Sequence, residues 1–181
     1  MCIRDRPTTE ELDHDFLWRV HKEVPAKGQI AIFNRSHYED IIAVRVKKIF
    51  PDPVWKRRYK HVLDFESMLA EEGTVIIKLF LNISKEEQKK RLESRLQDPD
   101  KLWKFCMDDL DDRNRWDEFQ TAYQDLIEKT STPEAPWYII PADRKWYRNL
   151  VVARLMVEKL RHLQLSLPTP NFDPASIIIP D

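Results

Sequence analysis

The amino-acid sequence predicts an α/β protein in which helices flank an open, parallel sheet. Segments with helical spacing of apolar residues alternate with short apolar runs along the chain. The clearest run, TVIIKLFLNI at residues 74–83, is too apolar for a half-exposed strand and predicts a central strand of that sheet. One domain is expected, because 181 residues with 42% hydrophobic composition are enough for a single core.

Helices and strands are expected to alternate in order. Leu12, Phe16 and Val20, spaced by four, predict a first helix over residues 8–24, and a short buried strand over 29–33 follows it. The remaining elements are helices at 36–50 and 53–72, the strand at 74–83, a helix from Ser84 to Asp98, a helix through 116–126, a strand at 137–141 and a helix at 143–165. The residues from Ser166 onward form a proline-rich tail, expected to be loose or docked against a neighbour.

Local signals set several boundaries. Gly73 is expected to cap the end of the helix at 53–72. Ser84 and Glu87 have the spacing of a capping box, which predicts a helix start. Pro99 should end or kink that helix.

Two later helices show apolar faces that we interpret as core-facing. Their members are Trp116, Phe119, Tyr123 and Leu126 in the first, and Ala153, Met156, Val157, Leu160 and Leu163 in the second.

Composition limits the function. Thirty basic and thirty-one acidic residues leave a net charge of -1, which gives no support for a nucleic-acid or membrane partner. Cys2 and Cys106 are too few for a disulfide framework, which favours a cytoplasmic location, and Cys106 is interpreted as a helix-packing residue. The five histidines form no close pair at metal-ligand spacing. Residues 1–6 lack the apolar core of a signal peptide and are interpreted as a non-native leader.

Polar side chains follow each predicted strand. The three tips are Asn34-Arg35-Ser36, Asn82-Ile83-Ser84 and the loop from Pro141 to Lys145. Ligands of open α/β sheets bind at the carboxyl ends of the strands, so these tips are expected to share one cleft.

Two basic concentrations stand out against the neutral total. The first comprises Arg45, Lys47, Lys48, Lys56, Arg57, Arg58 and Lys60; the second comprises Lys89, Lys90, Arg91, Arg95, Lys101 and Lys104. The second group is interleaved with acids and is also compatible with a solvated helix face. Arg91 and Arg95, one helical turn apart, project on the same side, which favours a phosphate clamp.

A long part of the chain resembles a known family. The run FNRSHYEDIIAVRV resembles the Walker B region of the polyphosphate kinase 2 family, the polyphosphate:nucleotide phosphotransferases. The likeness continues through VWKRRYKHVLDFESMLAEEGTVIIKLFLNISKEEQKKRLESRLQDPDKLWKF and DDRNRWDEFQTAYQDLIEKTSTPEAPWYIIPADRKWYRNLVVARLMVE, so that it covers residues 7–165. It implies a P-loop kinase fold similar to thymidylate kinase, and phosphoryl transfer between inorganic polyphosphate and a nucleoside mono- or diphosphate with Mg²⁺.

The resemblance also implies roles for individual residues. Asn34 and Arg35 are the expected catalytic tip, and residues 91–112 are the expected flexible lid. The expected phosphate-binding residues are Arg91, Arg95, Lys101, Lys104 and Arg58, and the expected nucleotide-side loop is Asp143, Arg144 and Lys145. Asn34 stands where many relatives have aspartate; its amide adds no charge, so it would reach Mg²⁺ through a bound water. The NRSHYED version resembles the subgroup that phosphorylates both AMP and ADP, and GMP or GDP stays open as an acceptor.

The beginning of the chain departs from the family pattern. Family members carry a first strand, a Walker A loop and a helix ahead of the point where this sequence starts, and its two glycines, Gly28 and Gly73, cannot form a G-x-x-x-x-G-K-[ST] loop. We therefore interpret the sequence as N-terminally truncated, and we expect these residues to be inactive as they stand.

Two other functions stay open at this point. One is a non-catalytic polyanion-binding or assembly module, and the other is an RNA-binding helical domain, which the near-neutral charge disfavours. A homo-oligomer is compatible with the sequence.

Overall fold

The computed structural model describes residues 7–166, 169–177 and 179–180. The proposed leader at 1–6 lies outside the described residues. Within those ranges the elements are α1 (Thr9–Asp13), α2 (Trp18–His21), α3 (Glu39–Val46), α4 (Asp52–Glu71), β1 (Lys78–Asn82), α5 (Lys85–Gln97), a 3₁₀ turn (Pro99–Lys104), α6 (Asp108–Asn114), α7 (Trp116–Thr130), β2 (Trp137–Pro141), α8 (Lys145–His162) and a 3₁₀ turn (Pro174–Ser176).

The sheet of the described residues consists of β1 and β2. The two strands are parallel, with Lys78 beside Trp137 and Asn82 beside Pro141, and α5 to α7 connect them as a parallel pair requires. The strand predicted at 137–141 is confirmed, and the one predicted at 74–83 is confirmed over its second half. A central position for β1 is not seen in the described part of the chain, where β2 is its strand neighbour.

The main core lies between α3, α4 and α7. Its most deeply buried side chains are Ile41, Ile42, Val62 and Leu126. Phe119 and Tyr123 pack against this cluster, which confirms the apolar face predicted for α7. Tyr38, directly before α3, belongs to the same core cluster. The tip Asn34-Arg35-Ser36 therefore leads straight into the core.

Helix ends largely follow the local signals. Gly73 has φ +90°, and Thr74 donates its N–H to the carbonyl of Leu69 at 2.9 Å, so the expected cap of α4 is confirmed. Asp98 ends α5 directly before Pro99, also as predicted.

The helix predicted at 8–24 is two short helices. The carboxylate of Asp15 accepts the N–H of Leu17 at 2.9 Å, so a side chain replaces the helical backbone partner at this point. Because His14 is extended, with ψ 174°, α1 ends there and α2 begins afresh at Trp18. The spacing of apolar residues alone did not reveal that the Asp15 side chain would interrupt the helix.

The apolar run at 29–33 is not a strand. Ile30 and Ile32 are 68% and 78% exposed, whereas Phe33 packs against Val20 and Phe65. Within the described residues, the strand ladder joins β1 to β2, and residues 29–33 lie outside it. The predicted buried strand is therefore wrong for the described residues.

Two smaller interpretations are also wrong. The face of α8 expected to be inward is not buried: Val157 and Leu163 are 47% and 43% exposed, and Met156 and Leu160 are only half-buried, although α8 contacts β2. Cys106 is exposed and lies in the irregular link between the 3₁₀ turn and α6, so it does not pack inside a helix. Each described helix is too short or too polar to cross a bilayer.

Candidate active site

The carboxyl ends of β1 and β2 meet, as the sequence predicts. Ala142 donates its N–H to the carbonyl of Asn82 at 2.8 Å, and Ser84 donates its N–H to Oδ1 of Asp143 at 2.8 Å. The second bond fixes Asp143, from the expected nucleotide-side loop, at the start of α5. Arg144 and Lys145, the other two members of that loop, are exposed.

Arg91 lies at the same strand ends. Its Nη2 donates to the carbonyls of Ala142 at 2.7 Å and of Asp143 at 3.1 Å, while its Nε donates to Glu87 at 2.8 Å. Glu87 gives its N–H to Ser84 Oγ, but its carboxylate binds Arg91, so the capping box predicted from the sequence is only half formed. The first arginine of the expected lid therefore sits beside the strand ends.

The tip Asn34-Arg35-Ser36 is exposed at its first two residues and leads directly into α3. Arg35 has φ +65°, which is unusual for a residue with a side chain. Among the described residues, no hydrogen bond or ion pair joins this tip to the ends of β1 and β2. Burial raises the pKa of Tyr123 and the charge of Arg35 opposes that shift, while the Tyr123 ring lies 4.9 Å from Phe80 of β1.

Charged groups gather around Arg35. Burial raises the pKa of Glu39, the charges of Asp40 and Asp112 raise it further, and Arg35 and Lys47 oppose the shift. Lys47 also pairs with Asp112, the last residue of the expected lid, at 2.8 Å. The expected lid thus starts at the strand ends with Arg91 and ends with Asp112, whose charge, like that of Arg35, acts on Glu39.

The other expected phosphate ligands bind groups of the chain itself. Arg95 pairs with Asp109 at 3.4 Å, Lys101 pairs with Asp98, and Lys104 lies 4.9 Å from the centre of the Trp103 ring. Arg58 donates to the carbonyl of Asp40 at 2.5 Å, near the tip. These contacts leave the predicted phosphate-binding roles as predictions, since a phosphate would have to replace several of them.

A preformed metal cage is not found among the described residues, which contain no group of three or more His, Cys, Asp or Glu side chains able to hold an ion. Mg²⁺ in phosphoryl-transfer sites commonly keeps several waters and binds one or two carboxylates with substrate phosphates. The exposed amide of Asn34 is of the right chemistry to meet such a hydrated ion.

Sequence reasoning missed a buried ionic cluster directly behind the tip. Lys78 and Glu66 are 6% and 3% exposed, and Nζ of Lys78 lies 2.7 Å from Oε2 of Glu66. Tyr38 donates to Oε1 of Glu66 at 2.7 Å. The available signal was the single lysine inside the apolar run TVIIKLFLNI, because a lysine is almost never fully buried unless it is paired.

Arginines and polar tips at the carboxyl ends of parallel strands are typical of α/β proteins that bind phosphate groups. Comparison with known families also points to a phosphate-binding protein. The family model described as polyphosphate kinase 2 matches residues 3–167, and the chain belongs to this family.

Individual relatives agree with this assignment. The chain is 54% identical, over 96% of its length, to an AMP/ADP-polyphosphate phosphotransferase of Meiothermus ruber, and 38% identical, over 90% of its length, to an ADP-polyphosphate phosphotransferase of Rhodopseudomonas palustris. The crystal structure of polyphosphate kinase 2 from Arthrobacter aurescens superimposes with a TM-score of 0.92 at 48% identity, over 97% of this chain and 62% of that one. The chain spans 65% and 60% of the length of the two curated relatives.

Proposed function

We propose that this chain carries part of the active site of a polyphosphate-dependent nucleotide kinase. The enzyme transfers a phosphoryl group between inorganic polyphosphate and a nucleoside mono- or diphosphate. The observation that carries the proposal is Arg91 at the strand ends, where its guanidinium donates to the carbonyl of Ala142 at 2.7 Å. Arg35, exposed on the tip that precedes α3, supports it. Membership of the polyphosphate kinase 2 family supplies the substrate class.

The chemistry requires alignment and charge neutralisation more than covalent catalysis. The bond between the terminal phosphorus of polyphosphate and its bridging oxygen breaks, and an oxygen of the acceptor nucleotide forms the new bond to that phosphorus. Charge is spread over the equatorial oxygens during this transfer. The planar guanidinium of Arg35 can donate two parallel hydrogen bonds to such oxygens, and it is exposed for this role.

The lid would exclude water during transfer. Residues 91–112 carry Arg91, Arg95, Lys101 and Lys104; Arg91 lies at the strand ends, and Asp112 pairs with Lys47, which directly follows α3. Closing these side chains over polyphosphate would exchange their present partners for phosphate oxygens. Exclusion of water favours transfer to a nucleotide over hydrolysis.

Mg²⁺ belongs to the proposal as an ion bound mainly by phosphate oxygens and water. It would neutralise charge on the transferred group, and Asn34 would accept a hydrogen bond from one of its waters. The proposal also includes a P-loop kinase fold similar to thymidylate kinase, and a cytoplasmic enzyme.

The acceptor is proposed to be AMP or ADP, with GMP and GDP as further acceptors. The Meiothermus ruber relative is named for AMP and ADP, and a Ruegeria pomeroyi relative, 29% identical, is named for nucleoside diphosphates in general. Asp143, Arg144 and Lys145 are the proposed nucleotide-side residues, because they follow β2 directly and Asp143 is fixed at the start of α5.

A chimera tests the proposal. Residues 7–165 replace the matching segment of the Meiothermus ruber relative, and formation of ADP and ATP from AMP is followed with and without polyphosphate and Mg²⁺. Nucleotide formation that requires both supports the proposal. A folded chimera that binds polyphosphate without turnover would instead support a non-catalytic polyanion-binding module.

A further inference from the structure

Arg35 has a backbone conformation that requires an explanation. Its φ of +65° lies in the left-handed region, which is disfavoured for residues with a Cβ atom. Lys48 and Gln164 also have positive φ, but each follows the last turn of a helix, where the left-handed conformation is a common cap. Arg35 precedes a helix instead. A strained residue of this kind persists only where surrounding contacts hold it in place.

The contacts on both sides of Arg35 converge on two consecutive residues of α4. On the preceding side, Phe33 packs against the small cluster that contains Phe65. On the following side, the ring of His37 lies edge-on to Phe65 at 6.0 Å, and its Nε2 is 3.3 Å from Oε1 of Glu66.

Tyr38 adds to the contacts on the side that follows Arg35. It is 4% exposed and donates its hydroxyl hydrogen to Oε1 of Glu66 at 2.7 Å. Burial raises the pKa of Tyr38, and the negative charge of Glu66 adds to the effect, so the hydroxyl keeps the proton that it donates. Residues 37 and 38 are therefore fixed to α4 immediately after the strained position.

Glu66 is itself fixed by Lys78 of β1. The three hydrogens of the Lys78 ammonium have three acceptors: Oε2 of Glu66 at 2.7 Å, the Tyr38 hydroxyl at 3.0 Å and the carbonyl of Thr130 at 2.6 Å. Burial alone would favour the neutral acid, but the bonds from His37, Lys78 and Tyr38 outweigh it and lower the pKa of Glu66. The carboxylate is thus charged and held by three side chains.

We propose that Glu66 is a positioning residue: held by Lys78, it fixes His37 and Tyr38, keeps Arg35 in the left-handed conformation, and so aims the Arg35 guanidinium at phosphate. The last step rests on the proposed function, whereas the hold on the backbone of Arg35 does not. Stability alone is a poor explanation for the pair, because buried ion pairs are often no more stabilising than apolar residues of the same volume. Its place directly behind the strained tip provides a reason for it.

The test compares three variants of the chain by NMR. Tyr38→Phe removes one hydrogen bond to Glu66 and keeps the ring, and Glu66→Gln removes the charge. Tyr59→Phe is the matched control, because Tyr59 lies in the same core cluster but outside the contacts of Glu66. The three-bond coupling between the amide and α hydrogens of Arg35, with its Cα and Cβ shifts, reports the sign of φ.

We expect Tyr38→Phe and Glu66→Gln to lose the left-handed signature of Arg35, and Tyr59→Phe to keep it. If Glu66→Gln does not fold, Tyr38→Phe decides the question. A folded Tyr38→Phe variant with an unchanged Arg35 signature would overturn the proposal.

Titration with inorganic tripolyphosphate and Mg²⁺ separates the two proposals. Loss of one well-aimed charged hydrogen bond should weaken tripolyphosphate binding by about tenfold in Tyr38→Phe but not in Tyr59→Phe. If the unsubstituted chain shows no response to tripolyphosphate, the proposed function fails, and the ligand-free signature of Arg35 still decides the positioning role of Glu66.

Discussion

Arg91 donates a hydrogen bond from Nη2 to the carbonyl oxygen of Ala142, 2.7 Å away, and thereby ties the start of the proposed lid, residues 91–112, to the end of β2. The rest of the segment is held less firmly. Arg95 and Lys101 pair with acids within the segment, and the side chains of Trp103 and Met107 are 77% and 69% exposed. Few apolar contacts therefore oppose movement of residues 98–108.

This arrangement predicts where proteases cut. Chymotrypsin should cleave first near Trp103, and tripolyphosphate with Mg²⁺ should slow that cleavage severalfold, because phosphate gives the lid cations a common ligand. Mass spectrometry of timed digests measures the rates. Cleavage near Phe172, which is 54% exposed and outside the lid, is the control and should not change. Equal slowing at both sites would point to inhibition of the protease and not to lid closure.

Breaking the buried ion pair between Lys78 and Glu66 is expected to lower stability strongly. Lys78→Met leaves the carboxylate of Glu66 without its cation, which should lower the free energy of unfolding by about 3–5 kcal/mol. Lys60→Met is the matched control: Lys60 pairs with Asp64 on α4, but its side chain is 77% exposed, so the loss should be about 0–1 kcal/mol. Urea unfolding measures both values. Similar losses in the two variants would refute the distinction between the pairs.

Replacing Glu39 by a neutral side chain is expected to raise the free energy of unfolding by an amount that depends on pH. Since burial raises its pKa, the folded state binds the proton more tightly than the unfolded state, and ionisation at neutral pH disfavours folding. Glu39→Gln should therefore stabilise the protein by about 0.5–2 kcal/mol near neutral pH, the range common for single stabilising substitutions.

The pH dependence of the Glu39→Gln effect checks the direction of the pKa shift of Glu39. As the pH falls through the raised pKa of Glu39, the native side chain becomes neutral and the advantage of the glutamine should disappear. Urea unfolding at neutral and acidic pH measures the difference, with the exposed Glu158→Gln as control. A gain that grows towards acid would contradict the assignment.

Local signals in the sequence predicted those elements whose environment is also local. The strand at 137–141, the cap at Gly73 and the helix start at Ser84 were correct because turn chemistry and short apolar runs determine them. The run at 29–33 and the inward face of α8 were wrong because burial depends on what packs against a segment, and no residue within the segment encodes that.

The candidate site shows the same division. The meeting of Asn82 with Ala142 followed from the rule that ligands gather at strand ends. The partnership of Glu66 with Lys78 could not be inferred, because it joins residues 12 positions apart along the chain across a helix end and a strand start. The positive φ of Arg35 has no signal of its own in the residue type. Only the lone lysine in an apolar run marked one of the partners.

The most direct test of the account is the turnover of Arg35→Lys in the chimera with the Meiothermus ruber relative. Lysine keeps the positive charge but loses the planar fork that binds two phosphate oxygens, so kcat for polyphosphate-dependent ADP phosphorylation should fall by about tenfold or more. Arg161→Lys is the matched control, an exposed arginine in the last turn of α8, and its kcat should be unchanged. A kcat for Arg35→Lys equal to that of the control would contradict the claim that Arg35 binds the transferred phosphoryl group.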